Sequence, residues 1–386
     1  MLLPQKNVNI ISGVKIICEN KGSRFGYFAW STITRLPDGR LALYSSGFRI
    51  KHVCPFGKGA VCYSYDDGES WSAPSVAIDT PLDDRDFGVA VSDNRVIVTF
   101  YNHSTSYQRD VNRDENTGEL FQFINNHLDS INEKEVEEQY LGSFYVISED
   151  SGNHFGDLKR VPVHCPHGPA VLPNGRFLYV GHAYSFIEPS RVAFRDQEPS
   201  QLQCWMENEQ GEFEFVSALA DVPEEIGRNS EPHTIALPDG TILTHIRVER
   251  FVPGKGGAGW EEFTLYQSES YDGGKTFTDP HPILPSMGGA PAHIMRHSSG
   301  VLISAYGVRD YVDETQHGAI CVLLSRDNGK NWESRFITRT THSWDHGYPS
   351  TVEREDGTLL TAYYDHEKDD NAIIKQIIWS LDDESL

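Results

Sequence analysis

Apolar and polar positions alternate along this chain in short runs, and the runs come in pairs around a turn. Thr32-Ile-Thr-Arg-Leu-Pro-Asp38-Gly39 leads into Leu41-Ala-Leu-Tyr44, and Thr234-Ile-Ala-Leu-Pro-Asp239-Gly240 leads into Ile242-Leu-Thr-His-Ile246. A period of two bounded by Pro, Asp or Asn next to Gly predicts two half-buried strands joined by a tight turn. The unit recurs at Gly88-Val-Ala-Val-Ser-Asp93-Asn94, Pro169-Ala-Val-Leu-Pro-Asn174-Gly175, Ala292-His-Ile-Met-Arg-His-Ser-Ser-Gly300 and Thr351-Val-Glu-Arg-Glu-Asp356-Gly357, each followed by a second apolar run.

A third element follows each hairpin and ends in a repeated phrase. Ser64-Tyr-Asp66-Asp-Gly68-Glu-Ser-Trp71 has copies at Ser148 to Phe155, Ser270 to Phe277 and Ser325 to Trp332. Degenerate copies begin at Glu207 and at Ser380. In the phrase Ser-x-Asp-x-Gly-x-x-aromatic, Asp bonds the backbone of its own turn, Gly supplies a positive φ, and the ring plugs the neighbouring sheet. Most steps between copies are about 55 to 63 residues, but the step from 64 to 148 is longer by roughly 25. Between about 108 and 140, Leu120, Phe121, Ile124, Leu128 and Ile131 recur at helical intervals among polar residues, so the surplus reads as a helical insertion. A surface decoration, a lid and a subunit contact are all open for it.

Period and phrase together predict an all-β fold, a six-bladed β-propeller of four-stranded antiparallel blades spanning 1–386 as a single domain. The last blade lacks an outer strand, and the N-terminal stretch Val8-Asn-Ile-Ile-Ser-Gly-Val-Lys-Ile-Ile17 is expected to supply it.

Composition agrees and narrows the function. With 33 Gly, 20 Pro and 11% aromatic residues, the 386-residue chain suits short strands and turns. A net charge of -23 argues against a nucleic-acid partner. The six cysteines form no CxxC pair and read as free thiols. No basic leader precedes an apolar core and no apolar run reaches membrane length, so a cytoplasmic protein without a membrane partner is expected. No metal and no cofactor are expected. A homo-oligomer is left open.

In a propeller, residues just before the first strand and just after the second converge on the mouth of the central channel. Those positions hold Tyr27, Trp30 and Arg49; Asp84, Arg85, Asp86, Asn102 and His103; and His164, His167 and His182. They continue with Glu231, His233 and Arg247; His293 and Arg309; and Asp345, His346, Tyr348, Asp365 and His366. This is more ionisable side chain than strand ends need for solubility.

With its six units, its repeated phrases and several mouth residues, the chain resembles the sialidase (neuraminidase) superfamily, whose propellers carry such Asp-box or BNR repeats. The resemblance implies an exo-acting glycosidase for a terminal carboxylated sugar. Glu231 followed by Arg247 resembles the family's Glu-then-Arg arrangement in blade four, Arg309 falls where a second carboxylate-binding Arg is expected, and Tyr348 resembles the tyrosine nucleophile that opens the last blade. A phenol becomes nucleophilic when a carboxylate accepts its proton and nearby Arg favours the phenolate. Arg247 and Arg309 would grip the carboxylate of the sugar.

The first blade departs from the family pattern. Phe28-Ala-Trp30-Ser stands where an Arg is expected, leaving Arg49 or Arg85 to replace it, and Arg49-Ile-Lys-His52 stands where the acid/base Asp is expected. Protonation would fall to Asp84, Asp86, His52 or His103. Trp30, His182, His293 and His366 are candidate sugar contacts. Two other functions fit the same residues: a lyase that β-eliminates a uronate glycan with His/Tyr acid-base chemistry, and a sugar-binding propeller without catalysis.

Overall fold

Strand pairing in the computed structural model closes six antiparallel sheets around one axis. The structure describes residues 3–113, 118–183, 201–251, 260–284, 289, 291–309, 318–341, 345–366 and 371–381. Blade one consists of Tyr27–Arg35, Leu41–Arg49, Lys58–Ser64 and Ser75–Ile78. Blade two has Asp83–Ser92, Arg95–His103, Ser143–Ser148 and Lys159–Val161. Blade four (Arg228–Ala236, Ile242–Phe251, Trp260–Ser270, His281–Pro282) and blade five (Ala292–Arg296, Leu302–Val308, Ala319–Ser325, Glu333–Arg339) follow the same order.

In blade three the inner strand is broken. Val163–His164 and Ala170–Val171 both pair with Phe177–Ala183, beyond which lie Leu202–Glu207 and Phe213–Ala218. The break falls at Cys165-Pro-His-Gly-Pro169, where two prolines remove ladder donors. Blade six is Gly347–Glu353, Leu359–His366 and Ala372–Ser380, and Asn9–Cys18 adds to it as the outer strand, Asn9 opposite Ser380. The stretch before that strand also ties to blade five, because Val8 N–H donates to the Phe336 carbonyl at 3.0 Å and Phe336 N–H to the Lys6 carbonyl at 2.9 Å.

The repeated phrase folds alike in its four full copies. Ser64, Ser148, Ser270 and Ser325 each accept at Oγ from the N–H of the phrase glycine at 2.8–2.9 Å and donate to Oδ1 of the phrase aspartate at 2.8–2.9 Å. The structure adds a link between blades. Trp71 Nε1 donates to Gln376 of blade six at 2.7 Å, and the Gln376 amide returns a bond to the Gly68 carbonyl at 2.8 Å. Trp332, Gln267 of blade four and Gly329 repeat the pattern at 2.9 Å. Asp382 of the last degenerate copy lies outside the described residues.

Near the axis the inner strands meet backbone to backbone. A Cβ on Gly88 would lie 2.2 Å from the Gly168 nitrogen, so blades two and three can close only on glycine.

The expected insertion forms three helices, Thr105–Arg113, Glu119–Ser130 and Glu133–Tyr140, between the second and third strands of blade two. Glu137 accepts from Thr105 N–H at 2.7 Å and from its hydroxyl at 2.5 Å, which satisfies the first helix's N-terminus. Phe123 stacks on Phe56 of blade one with centroids 4.9 Å apart, and Arg24 sits 5.1 Å over the same Phe123 ring. The insertion thus packs onto blade-one loops.

Removing a phrase hydroxyl strands the buried glycine N–H that it receives. Ser325→Ala is expected to cost about 1–3 kcal/mol, read as a lower urea midpoint with unchanged slope. An unchanged midpoint would show that the phrase is decorative.

Candidate active site

Four inner strands carry a residue with positive φ at one equivalent place. Trp30, Asp86, Glu231 and Tyr348 have φ of 51°, 55°, 30° and 45°. Each stands five residues before the partner of the second strand's leading apolar residue, in the pairs Arg35↔Leu41, Val91↔Val96, Ala236↔Ile242 and Glu353↔Leu359. The ladders shift register there, and such bulges re-aim a side chain. In blades three and five the pairs Val171↔Phe177 and Arg296↔Leu302 put Pro166 and Pro291 at that place, where the ring forbids positive φ. Non-glycine residues pay roughly 1–3 kcal/mol for this conformation, and it clusters at functional sites.

Tyr348 of blade six and Glu231 of blade four meet. The Tyr348 hydroxyl donates to Glu231 Oε1 at 2.6 Å, and Arg247 Nη1 donates to the same hydroxyl at 3.2 Å while ion-pairing with Glu231. Glu249 holds Arg247 Nε at 2.9 Å and accepts from Arg228 at 3.1 Å. The Phe263 ring lies 4.4 Å from the Arg247 guanidinium. Arg309 donates from Nε and Nη2 to the His346 carbonyl at 3.0 and 2.9 Å, and its guanidinium lies 5.4 Å over the Tyr348 ring. Burial first, and then the charge of Glu231, push the Tyr348 phenol well above its usual pKa against the pull of Arg247 and Arg309. At rest the phenol is protonated and its proton points at a carboxylate.

Beside it, Asp345 anchors a second group. Tyr364 donates to its Oδ1 at 2.6 Å, Tyr27 donates to Oδ2, and His52 Nδ1 lies 3.1 Å and His366 Nε2 3.4 Å from Oδ2. Burial alone would raise this carboxyl, but His52 and His366 outweigh it and hold Asp345 well below the usual range. Arg309 Nη2 reaches Tyr364 at 3.3 Å, which joins the two groups.

Blade two sorts the other acidic and basic candidates. Asp84 is turned away: Thr80 donates to it from backbone and hydroxyl, both at 2.6 Å, and burial raises its pKa to about 7. Asp86 is raised to about 6 by burial, with Arg85 opposing and Glu231 adding to the shift. Its Oδ1 has no hydrogen-bond partner. Arg49, read as a substrate contact, is wholly buried, ion-paired with Asp83 at 2.5 Å and donating to the carbonyls of Asp84 and His52. Arg85 stacks 4.3 Å over Trp30, and its Nε and Nη1 make no hydrogen bond. His103 lies 4.3 Å from Tyr107 and 5.4 Å from Tyr101. Trp30 is only 1% exposed, covered by Arg85, Arg49 and His52, so its ring is a wall rather than an open stacking face.

The histidines separate into groups. His366 belongs to Asp345; His182 stacks on His164 at 5.9 Å, and its pKa falls to about 4 through burial. His293 is on the axis, 4.6 Å from His233 and 5.2 Å from His167. Nδ1 of His233 accepts from Ile294 N–H at 2.9 Å, and Nδ1 of His293 from Thr351 N–H at 3.3 Å. A neutral ring so bonded keeps its proton on Nε2, a poor metal ligand. Among the described residues, no group of three or more His, Cys, Asp or Glu side chains is arranged to hold a metal ion.

A model of the BNR repeat-like domain matches residues 109–360. The chain belongs to the BNR repeat-like domain family. Its structure is similar to that of a protein of unknown function from Dyadobacter fermentans, with TM-score 0.69, 18% identity and coverage of 96% of this chain and 100% of the other. The intramolecular trans-sialidase from Ruminococcus gnavus follows at TM-score 0.63, 14% identity, 97% and 98%. The NanB sialidase from Streptococcus pneumoniae gives 0.61, 12%, 96% and 71%. These likenesses show the shared propeller. No curated protein matches the sequence significantly.

Sequence reasoning placed Glu231, Tyr348 and Arg247 but passed over Glu249 and Phe263, which hold Arg247. Glu249 was findable, being two residues on along the same strand face.

Burial holds the His293 pKa at about 4, below its unfolded value of about 6.5, so its neutral form stabilises the fold above that value. That stability is lost as pH falls from about 6.5 toward 4. In His293→Asn, whose amide oxygen can still accept from Thr351, melting temperature is expected to fall less over this window than in the wild type. Identical slopes would contradict the assignment.

Proposed function

We propose that the protein is an exo-acting glycoside hydrolase that cleaves a terminal carboxylated sugar by way of a tyrosine nucleophile. The observation carrying this reading is the 2.6 Å bond from the Tyr348 hydroxyl to Glu231, with Arg247 on the same phenol oxygen. Glu231 takes the phenolic proton as the oxygen attacks the anomeric carbon, and Arg247 and Arg309 stabilise the charge that builds on the phenol. A neutral nucleophile is not repelled by an anionic sugar. Arg85, with unsatisfied donors beside Asp86, is suited to the sugar carboxylate in place of the first-blade Arg of sialidases. Asp86, buried and holding its proton below about pH 6, is suited to a sugar hydroxyl. The likeness to sialidases and a trans-sialidase supports the substrate class.

The second reading, β-elimination from a uronate glycan, has one observation in its favour. Tyr101 is stacked on His164 at 4.1 Å with Arg85 5.9 Å from its ring, a Tyr/His pair beside a cation that could neutralise a uronate carboxylate.

A panel of 4-nitrophenyl glycosides of N-acetylneuraminic and uronic acids separates the two. Hydrolysis by the wild type with loss on the order of 10³-fold or more in Tyr348→Phe is expected. Full activity in that variant would sink the nucleophile. An unsaturated, ultraviolet-absorbing product from a uronate glycan would favour the lyase.

A further inference from the structure

We infer that His52, oriented by Asp345, is the acid/base that protonates the departing aglycone, an assignment that rests on the hydrolase reading above. His52 lies in the loop after Leu41–Arg49, at the mouth. Its Nδ1 is held by the Asp345 carboxylate at 3.1 Å, so proton exchange passes through Nε2, across the ring. The ring stands edge-on to Trp30 at 4.8 Å, and Trp30 in turn lies 6.4 Å from Tyr348. The imidazole and the nucleophile therefore both border the Trp30 ring, an arrangement suited to an acid and a nucleophile on either side of a glycosidic bond.

Exposure decides among the candidates. In an exo-acting site the sugar fills the pocket and the aglycone points to solvent, so its oxygen must meet a group that solvent also reaches. The His52 side chain is 39% exposed. Asp86 is 4%, Asp84 0% and His103 5% exposed. Asp345 touches no reacting atom; it is a positioning residue fixed by Tyr27, Tyr364 and His366.

The steps balance. As Tyr348 Oη bonds the anomeric carbon and the glycosidic C–O bond breaks, the aglycone oxygen takes the Nε2 proton of the His52 imidazolium, a form that burial disfavours and the Asp345 carboxylate favours, and Glu231 takes the phenolic proton. Water then attacks the same carbon, giving its proton to His52, and the released phenolate recovers its proton from Glu231. One glycoside and one water become a free sugar and an alcohol.

The test compares the 4-nitrophenyl glycoside that the wild type cleaves with the methyl glycoside of the same sugar. Nitrophenolate leaves without protonation, whereas methoxide does not. His52→Gln is expected to lose about 100-fold or more in kcat/KM on the methyl glycoside and less than about 10-fold on the nitrophenyl one. Asp345→Asn should show the same split in weaker form, which a merely structural defect would not produce, with melting curves checking the fold. Equal losses on both substrates, or none, would overturn the assignment while leaving Tyr348 untouched. Wild-type turnover of neither would overturn it together with the hydrolase reading.

Discussion

Everything at the mouth depends on a pairing made far from it. A ring of six sheets keeps its radius only if its two ends are joined, and here Asn9–Cys18 lies against Ala372–Ser380 within blade six. The backbone bonds between Val8, Lys6 and Phe336 extend the join to blade five. Because the blades are locked side by side, Glu231 of blade four can hydrogen-bond Tyr348 of blade six, and Asp345 of blade six can hold His52 of blade one. None of these pairs is close in sequence. The repeated phrases serve the same end, since Trp71 and Trp332 each bond a glutamine on the preceding blade.

Against this rigid frame, local strain is concentrated where chemistry is proposed. The bulges at Trp30, Asp86, Glu231 and Tyr348 force non-glycine residues to positive φ, and three of the four side chains are ionisable groups that feel one another's charge. The two blades with proline at that place contribute imidazoles instead, His167 and His293, packed with His233. One ring position thus carries a bulged residue of positive φ in four blades and a proline in the other two. Burial then sets the protonation: it raises Asp86 and Tyr348 and lowers His293.

The six-blade order was legible because turn residues and apolar alternation repeat at nearly one period, and the closing strand followed from the blade that lacked one. The Tyr348, Glu231 and Arg247 group was legible from its motif. What escaped was side-chain direction beside a bulge. One extra residue reverses the alternation, so Asp84 and Asp86 looked equivalent, although only Asp86 turns toward Glu231 while Asp84 caps the Thr80 turn. Arg49 looked like a substrate contact because nothing in its neighbourhood marked Asp83 as its partner. His52 and Asp345, separated by 293 residues, become a pair only when the ring closes.

The central claim is that Tyr348 forms a bond to the sugar. Mass spectrometry of the protein incubated with a fluorinated glycosyl fluoride of the sugar it cleaves, a reagent that slows release from the enzyme, tests it most directly. The account predicts one glycosyl residue per chain, located on the peptide containing Tyr348. An adduct on any other residue, or turnover of the reagent with no adduct at all, would contradict it.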